Sequence, residues 1–128
     1  MDNFSENALS EIILGKCIKI HKAPGAGLFE SVYEEVLMYE LKKEGIIFRN
    51  QVTIPVFYDN IKIEKGFIAD LIVENKVIIE VKSVEKVLPV HKKQVLTYLK
   101  LTGIKLGLLI NFNENLLKDG ITRVVNNL

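Results

Sequence analysis

The chain lacks the features that would place it in several large classes. Its one cysteine, Cys17, excludes an intramolecular disulfide and any cysteine-based zinc site. Cys17 lies among Gly15, Lys16 and Ile18 in a helical pattern, which reads as a core or semi-buried position, with catalysis a remote alternative. No apolar run approaches the roughly 20 residues of a membrane-spanning helix. No basic segment leads into a long apolar stretch, so a secretory signal is not expected and the expected location is the cytoplasm. Charge of one sign is also lacking. Seventeen Lys and Arg stand against sixteen Asp and Glu, a net charge of +1, so nucleic acid binding would have to rest on a local patch. There is no internal repeat and no low-complexity linker. What is present is ordinary globular composition, 48% hydrophobic and 26% charged, in 128 residues. That predicts one domain over 1–128 with a core of two or three layers.

The prolines, three in all, each mark a break. Before Pro24, Asn3-Phe4-Ser5-Glu6 starts a first helix that runs to about His21, with Leu9, Ile12, Ile13, Lys16 and Ile20 at helical spacing. After Pro24-Gly25-Ala26-Gly27 a second helix runs from about Leu28 to Lys43, its apolar face drawn from Leu28, Val32, Val36, Leu37 and Leu41. Gly45 ends it. From Ile46 the period changes, and Ile47 to Tyr58 reads as a strand that ends or bulges near Pro55. A second strand covers Ile61 to Val73 with a bend at Gly66, and a third covers Lys76 to Ser83. Pro89 opens a helix over about Val90 to Leu101, closed by Gly103. Lys105 to Phe112 is a further strand, and Ile121 to Val125 a short closing one. The class is α/β, a mixed sheet of about four strands flanked by helices in the order α-α-β-β-β-α-β.

Three polar residues sit inside strands that otherwise read as buried: Asp70, and then Glu80 and Lys82 of the third strand. Buried charges cost several kcal/mol each unless something pairs with them, on the order of a domain's net stability. Strand alternation puts Glu80 and Lys82 on one face. Asp70 joins them only if the loop Glu74-Asn75-Lys76 has three residues. That loop pairs Val73 with Val77 and sets Asp70 opposite Glu80, with Cβ atoms ~5 Å apart. A two-residue loop would send the carboxylates to opposite faces. The odd loop is favoured because one cation then cancels both charges, and carboxylate oxygens suit Mg²⁺ or Mn²⁺. From the residues alone, a structural ion-pair network, or strand ends that reach solvent, stands beside this reading.

On the helix after Pro89, Gln94 and Tyr98 are four apart and share a face, with His91 one turn earlier. Tyr98 also reads as a core aromatic with its hydroxyl at the edge. Lys86, His91, Lys92 and Lys93, with Lys82, make a local basic patch suited to a phosphate backbone, or a solvated helix face. Lys16, Lys19, His21 and Lys22 form a second, smaller cluster.

The Asp70-to-Lys82 hairpin, D-x9-E-V-K, resembles the signature of the PD-(D/E)XK nuclease superfamily, with Ala69 where a proline is familiar. Gly27-Leu28-Phe29-Glu30-Ser31-Val32-Tyr33 resembles the pattern of the GxxExxY protein family, a bacterial branch. Gln94-Val95-Leu96-Thr97-Tyr98 and Leu101-Thr102-Gly103 extend the resemblance along nearly the whole chain. It implies a restriction-endonuclease-like core, with residues 1–22 as a helix outside that core. It implies that Asp70 and Glu80 bind Mg²⁺ or Mn²⁺ with the backbone carbonyl of Val81 and with Glu30, and that Lys82 is the catalytic lysine. Gln94 and Tyr98 resemble the Gln-x-x-x-Tyr motif of RecB-like and lambda-exonuclease-like nucleases, which helps shape the site and contact DNA. Tyr33 is expected to pack in the core. The expected function is metal-dependent hydrolysis of DNA phosphodiester bonds, without a membrane and with a homodimer through the first helix as one arrangement. The alternatives are a non-catalytic nucleic-acid-binding or assembly module that keeps the fold, and a structural protein in which the three charges pair with one another.

Overall fold

The computed structural model describes residues 4–128, less the side chain of Lys65; Asn3, placed at the start of the first helix by its sequence, lies outside the described residues. The elements are α1 (Glu6–Lys22), α2 (Glu30–Lys43), β1 (Phe48–Tyr58), β2 (Ile61–Val73), β3 (Val77–Lys82), α3 (Pro89–Thr102), β4 (Leu106–Asn111) and β5 (Ile121–Val125), with a 3-10 turn at Leu117–Gly120. The strands form one sheet in the order β1-β2-β3-β4-β5. β3 and β4 run parallel and the other neighbours antiparallel. A parallel pair needs a crossover, and α3 supplies it. The sheet has five strands rather than about four, because Ile121–Val125 pairs fully with β4.

α1 and α2 cover one face of the sheet and α3 the other, so β3 and β4 are buried on both sides. Ser5 caps α1 by accepting the Ala8 N–H at 3.1 Å, and Lys19, His21 and Lys22 stand at its negative end. Leu9, Ile13, Cys17 and Ile20 then line its inner side, all buried. α1 is thereby part of the hydrophobic core. It packs there beside Leu71, Val81 and Leu108 of the sheet. Lys16 and Lys19 of the supposed second basic cluster are engaged as well. Lys19 pairs with Glu40 of α2 at 3.0 Å, and Lys16 with Glu44, just past the end of α2, at 2.6 Å.

α2 is turned from its expected orientation. Tyr33, Leu37 and Leu41 face inward, while Leu28, Val32 and Val36 are exposed. The aromatic decides the rotation: Tyr33 stacks on Phe112 with ring centroids 4.4 Å apart. Its hydroxyl donates to Gly25 O and accepts from Leu28 N, so it also fastens the loop that precedes α2.

Two glycines permit close approach. A Cβ on Gly107 of β4 would lie 2.5 Å from Val95 of α3, so glycine lets the helix sit directly on the sheet. A Cβ on Gly66 would lie 2.8 Å from the Ile54 carbonyl. Opposite it the β1–β2 register slips between Ile54 and Val56, the irregularity expected at Pro55 and Gly66.

A second irregularity lies nearer the centre. Phe48 of β1 packs on the α1/α2 side, yet Val52 and Ile54, of the same parity, pack on the α3 side. On β2, Leu71 and Val73 face α1 and α2 whereas Phe67 and Ala69 face α3. The alternation reverses on both strands at the facing residues Gln51 and Asp70, and Gln51 has a positive φ of 51°.

Candidate active site

The β2–β3 turn decides whether the carboxylates meet. Glu74 and Asn75 both adopt left-handed backbone, φ 51° and 55°, and Lys76 N–H closes the turn on Val73 O at 2.9 Å. The start of β1 and the residue before it hold them in place: Ile47 N–H donates to Glu74 Oε2 at 2.6 Å and Arg49 donates to Asn75 Oδ1 at 2.9 Å. The loop has three residues, with Val73 paired to Val77, Ile72 to Ile78 and Leu71 to Ile79. The next positions in that register are Asp70 and Glu80, where the ladder ends.

There side chains replace backbone partners. Asp70 N–H donates to Glu80 Oε2 at 2.7 Å, and Val81 N–H donates to Asp70 Oδ2 at 2.8 Å. Two carboxylates are thus fixed side by side at the open end of the hairpin. Burial pushes the Glu80 carboxyl up to about 8, and the neighbouring Asp70 charge adds to the rise. Burial raises Asp70 too, partly opposed by its bonds to Val81 and Gln51 and by the charge of Lys82. Lys82 forms no ion pair among the described residues. A closed network of the three charges is therefore not what the fold builds.

Glu30 opens α2 and reaches the chain just beyond β3, its Oε2 accepting the Ser83 N–H at 3.3 Å. Ser83 Oγ donates to Leu28 O at 2.6 Å, so the segment is tied to the start of α2 at two points. The buried Asn111 holds the other side, donating to Val84 O at 2.9 Å and accepting from Val84 N at 3.0 Å. From α3, Tyr98 is buried beside Phe67 at 5.2 Å between ring centroids. Burial pushes its hydroxyl up to about 12, with Glu80 and Asp70 contributing by their charge. Gln94 and Tyr98 line a groove of about 440 Å³ between α3 and the β1–β2 arm, with Thr53, Phe67 and Ile68 on its other walls.

The outer basic residues make no hydrogen bond or ion pair with the carboxylates among the described residues. Lys86, Lys92 and Lys93 are exposed on the loop before α3 and on its first turns. His91 has a local duty that its sequence position did not reveal: its Nδ1 accepts the Leu88 N–H at 3.0 Å and caps α3.

Three residues of the site were missed in the sequence. Glu34, one turn after Glu30, is buried, and its Oε1 accepts from Gln51 Nε2 at 2.8 Å and from Asn50 Nδ2. Gln51 Nε2 also donates to Asp70 Oδ1 at 3.2 Å, and Asn50 Nδ2 to Asp70 O at 3.1 Å. Burial raises the Glu34 carboxyl, and the Asp70 charge adds to this. The available signals were the i, i+4 spacing of Glu30 and Glu34 and the polar run Arg49-Asn50-Gln51 inside an apolar strand.

A profile of the PD-(D/E)XK nuclease superfamily matches residues 7–124. The chain belongs to the PD-(D/E)XK nuclease superfamily. Neither the curated proteins nor the solved structures gave a match. Membership gives the chain a nuclease-type function and a restriction-endonuclease-like fold, and the matched span takes in α1 from its second residue onward. No described helix is long and apolar enough to cross a membrane.

PD-(D/E)XK nucleases generally use divalent metals. The donors here suit a hard cation, since Asp70 and Glu80 supply carboxylate oxygens whose pKa values are raised chiefly by burial. Among the described residues no three His, Cys, Asp or Glu side chains gather into a ready-made cage. A cation held by two carboxylates would keep several waters, as Mg²⁺ commonly does.

Proposed function

We propose that this member of the superfamily is a Mg²⁺- or Mn²⁺-dependent nuclease that hydrolyses phosphodiester bonds of DNA at Asp70, Glu80 and Lys82. The observation that carries the reading is the paired bond at the hairpin end, Asp70 N–H to Glu80 Oε2 and Val81 N–H to Asp70 Oδ2. It holds two hard-ligand carboxylates together in a half-dry place where neither forms a salt bridge among the described residues. Asp70 and Glu80 would hold the cation, with the Val81 carbonyl and Glu30 as further ligands. The bound ion supplies Lewis acidity at the scissile phosphate and lowers the pKa of the attacking water.

The chain's own residues do the rest. Lys82, which forms no ion pair among the described residues, orients the water and offsets negative charge that builds on the phosphorus oxygens. Gln94 and Tyr98 hold the substrate backbone along the groove beside the carboxylates. Lys86, Lys92 and Lys93 draw in the phosphates on either side. The Gly27–Tyr33 pattern supports placement in the GxxExxY branch.

Cleavage of linear, circular, single-stranded and branched DNA with Mg²⁺ and Mn²⁺ tests the reading, with Asp70→Asn as the control. Metal-dependent cleavage that survives both Glu80→Ala and Lys82→Ala would overturn it. DNA retained without any Mn²⁺ uptake would instead indicate a non-catalytic binding module.

A further inference from the structure

We propose that Gln51 is a positioning residue that locks the Asp70 carboxylate against Glu34, so that Asp70 meets the metal in one fixed orientation. The inference rests on the metal-site reading above. Gln51 donates from the same nitrogen to Glu34 Oε1 at 2.8 Å and to Asp70 Oδ1 at 3.2 Å. Serving two carboxylate oxygens at once requires the amide NH₂, since the amide oxygen only accepts. With Val81 N–H on Oδ2, both oxygens of Asp70 are then held and the carboxylate plane cannot turn. The far end of the clamp is anchored, because Glu34 is buried and takes a second amide from Asn50.

The backbone of Gln51 shows that this placement is imposed. Its φ of 51° is a conformation that L side chains rarely adopt, and it falls where β1 and β2 both reverse their facing. An ordinary strand residue at this point would leave the alternation intact, and its neighbours would point to the opposite faces. The left-handed residue turns the Gln51 side chain to the Asp70–Glu34 side. A polar residue held in a strained conformation, with both amide hydrogens spent on two acids, is what the outer support of a metal ligand requires.

Calorimetric Mn²⁺ titration of the full chain tests this with wild type, Gln51→Ala and Gln51→Gly, alongside thermal unfolding in EDTA. Both variants should bind Mn²⁺ roughly ten- to a hundredfold more weakly, the usual effect of losing such a support. Gln51→Gly should nevertheless melt above Gln51→Ala, because glycine accepts the positive φ without strain. If Gln51→Gly binds like wild type, the residue matters only through its backbone and the proposal is overturned. Wild-type affinity in both variants overturns it equally. If Gln51→Ala fails to fold, the comparison of Gln51→Gly with wild type decides. A wild-type chain that takes up no Mn²⁺ removes the metal-site reading and this proposal together, whereas wild-type binding with unaffected variants removes the proposal alone.

Discussion

Asp70 and Glu80 are joined through the backbone of one and the side chain of the other, with Asp70 N–H donating to Glu80 Oε2 over 2.7 Å. The bond fixes two acids side by side at the point where the β2–β3 ladder stops. It is favourable as a hydrogen bond and unfavourable as a meeting of charges. The metal-free fold therefore carries an electrostatic cost localised on this pair.

Removing one charge should relieve that cost. Glu80→Gln keeps an oxygen to accept the Asp70 N–H, so the metal-free variant should be more stable than wild type by about 1–3 kcal/mol at pH 8. Urea unfolding in EDTA measures this. The same variant should lose about a hundredfold or more of metal-dependent cleavage. Lower stability in EDTA would show that the two charges are already compensated.

The pH dependence follows with a definite sign. Glu80 has a carboxyl raised from an ordinary 4.5 to about 8, so the folded chain holds this proton more tightly than the unfolded one. Its contribution to stability is complete below about pH 4.5, declines as the pH rises and is gone above about pH 8. Asp70 shifts in the same direction. Metal-free stability should fall across that window by a few kcal/mol. Saturating Mg²⁺ should flatten the slope by binding the deprotonated pair. Melting curves at several pH values, with EDTA and with Mg²⁺, check both statements.

The two lysine clusters should behave differently toward DNA. Lys92 and Lys93 are exposed and form no ion pair among the described residues, whereas Lys19 is tied to Glu40. Replacing Lys92 or Lys93 by alanine should reduce the salt dependence of DNA binding by about one unit of log K per log salt each. Lys19→Ala should leave that slope unchanged. Fluorescence anisotropy over a range of salt concentrations decides, and equal effects at all three positions would remove the proposed patch.

Cys17 should be silent in the native chain. Burial against α2 and the sheet pushes its thiol up, away from the reactive thiolate form. A thiol reagent at pH 8 should label it only on unfolding. Cys17→Ser places a hydroxyl in an apolar core and should cost about 1–3 kcal/mol with cleavage retained.

The amino-acid sequence determined most of the architecture, because the signals for it are local. Ser5, Pro89 and Gly103 set helix ends through their own backbone chemistry, and the long apolar runs made central strands of Val77–Lys82 and Leu106–Asn111. Asp70, Glu80 and Lys82 stood out for a similar reason, as charges inside such runs. The three-residue turn was also within reach, since it was the register that let one cation serve both acids. The rotation of α2 was not. Val32 and Val36 look like a core stripe, and only the stacking of Tyr33 on Phe112, far apart in the chain, turns them outward. Nor was the support behind Asp70 legible. Glu34, Asn50 and Gln51 acquire their roles from a paired reversal of two strands at Gln51 and Asp70, which depends on how β1, β2 and α2 pack together. Local chemistry wrote the paired acids into the hairpin; long-range packing decided what holds them still.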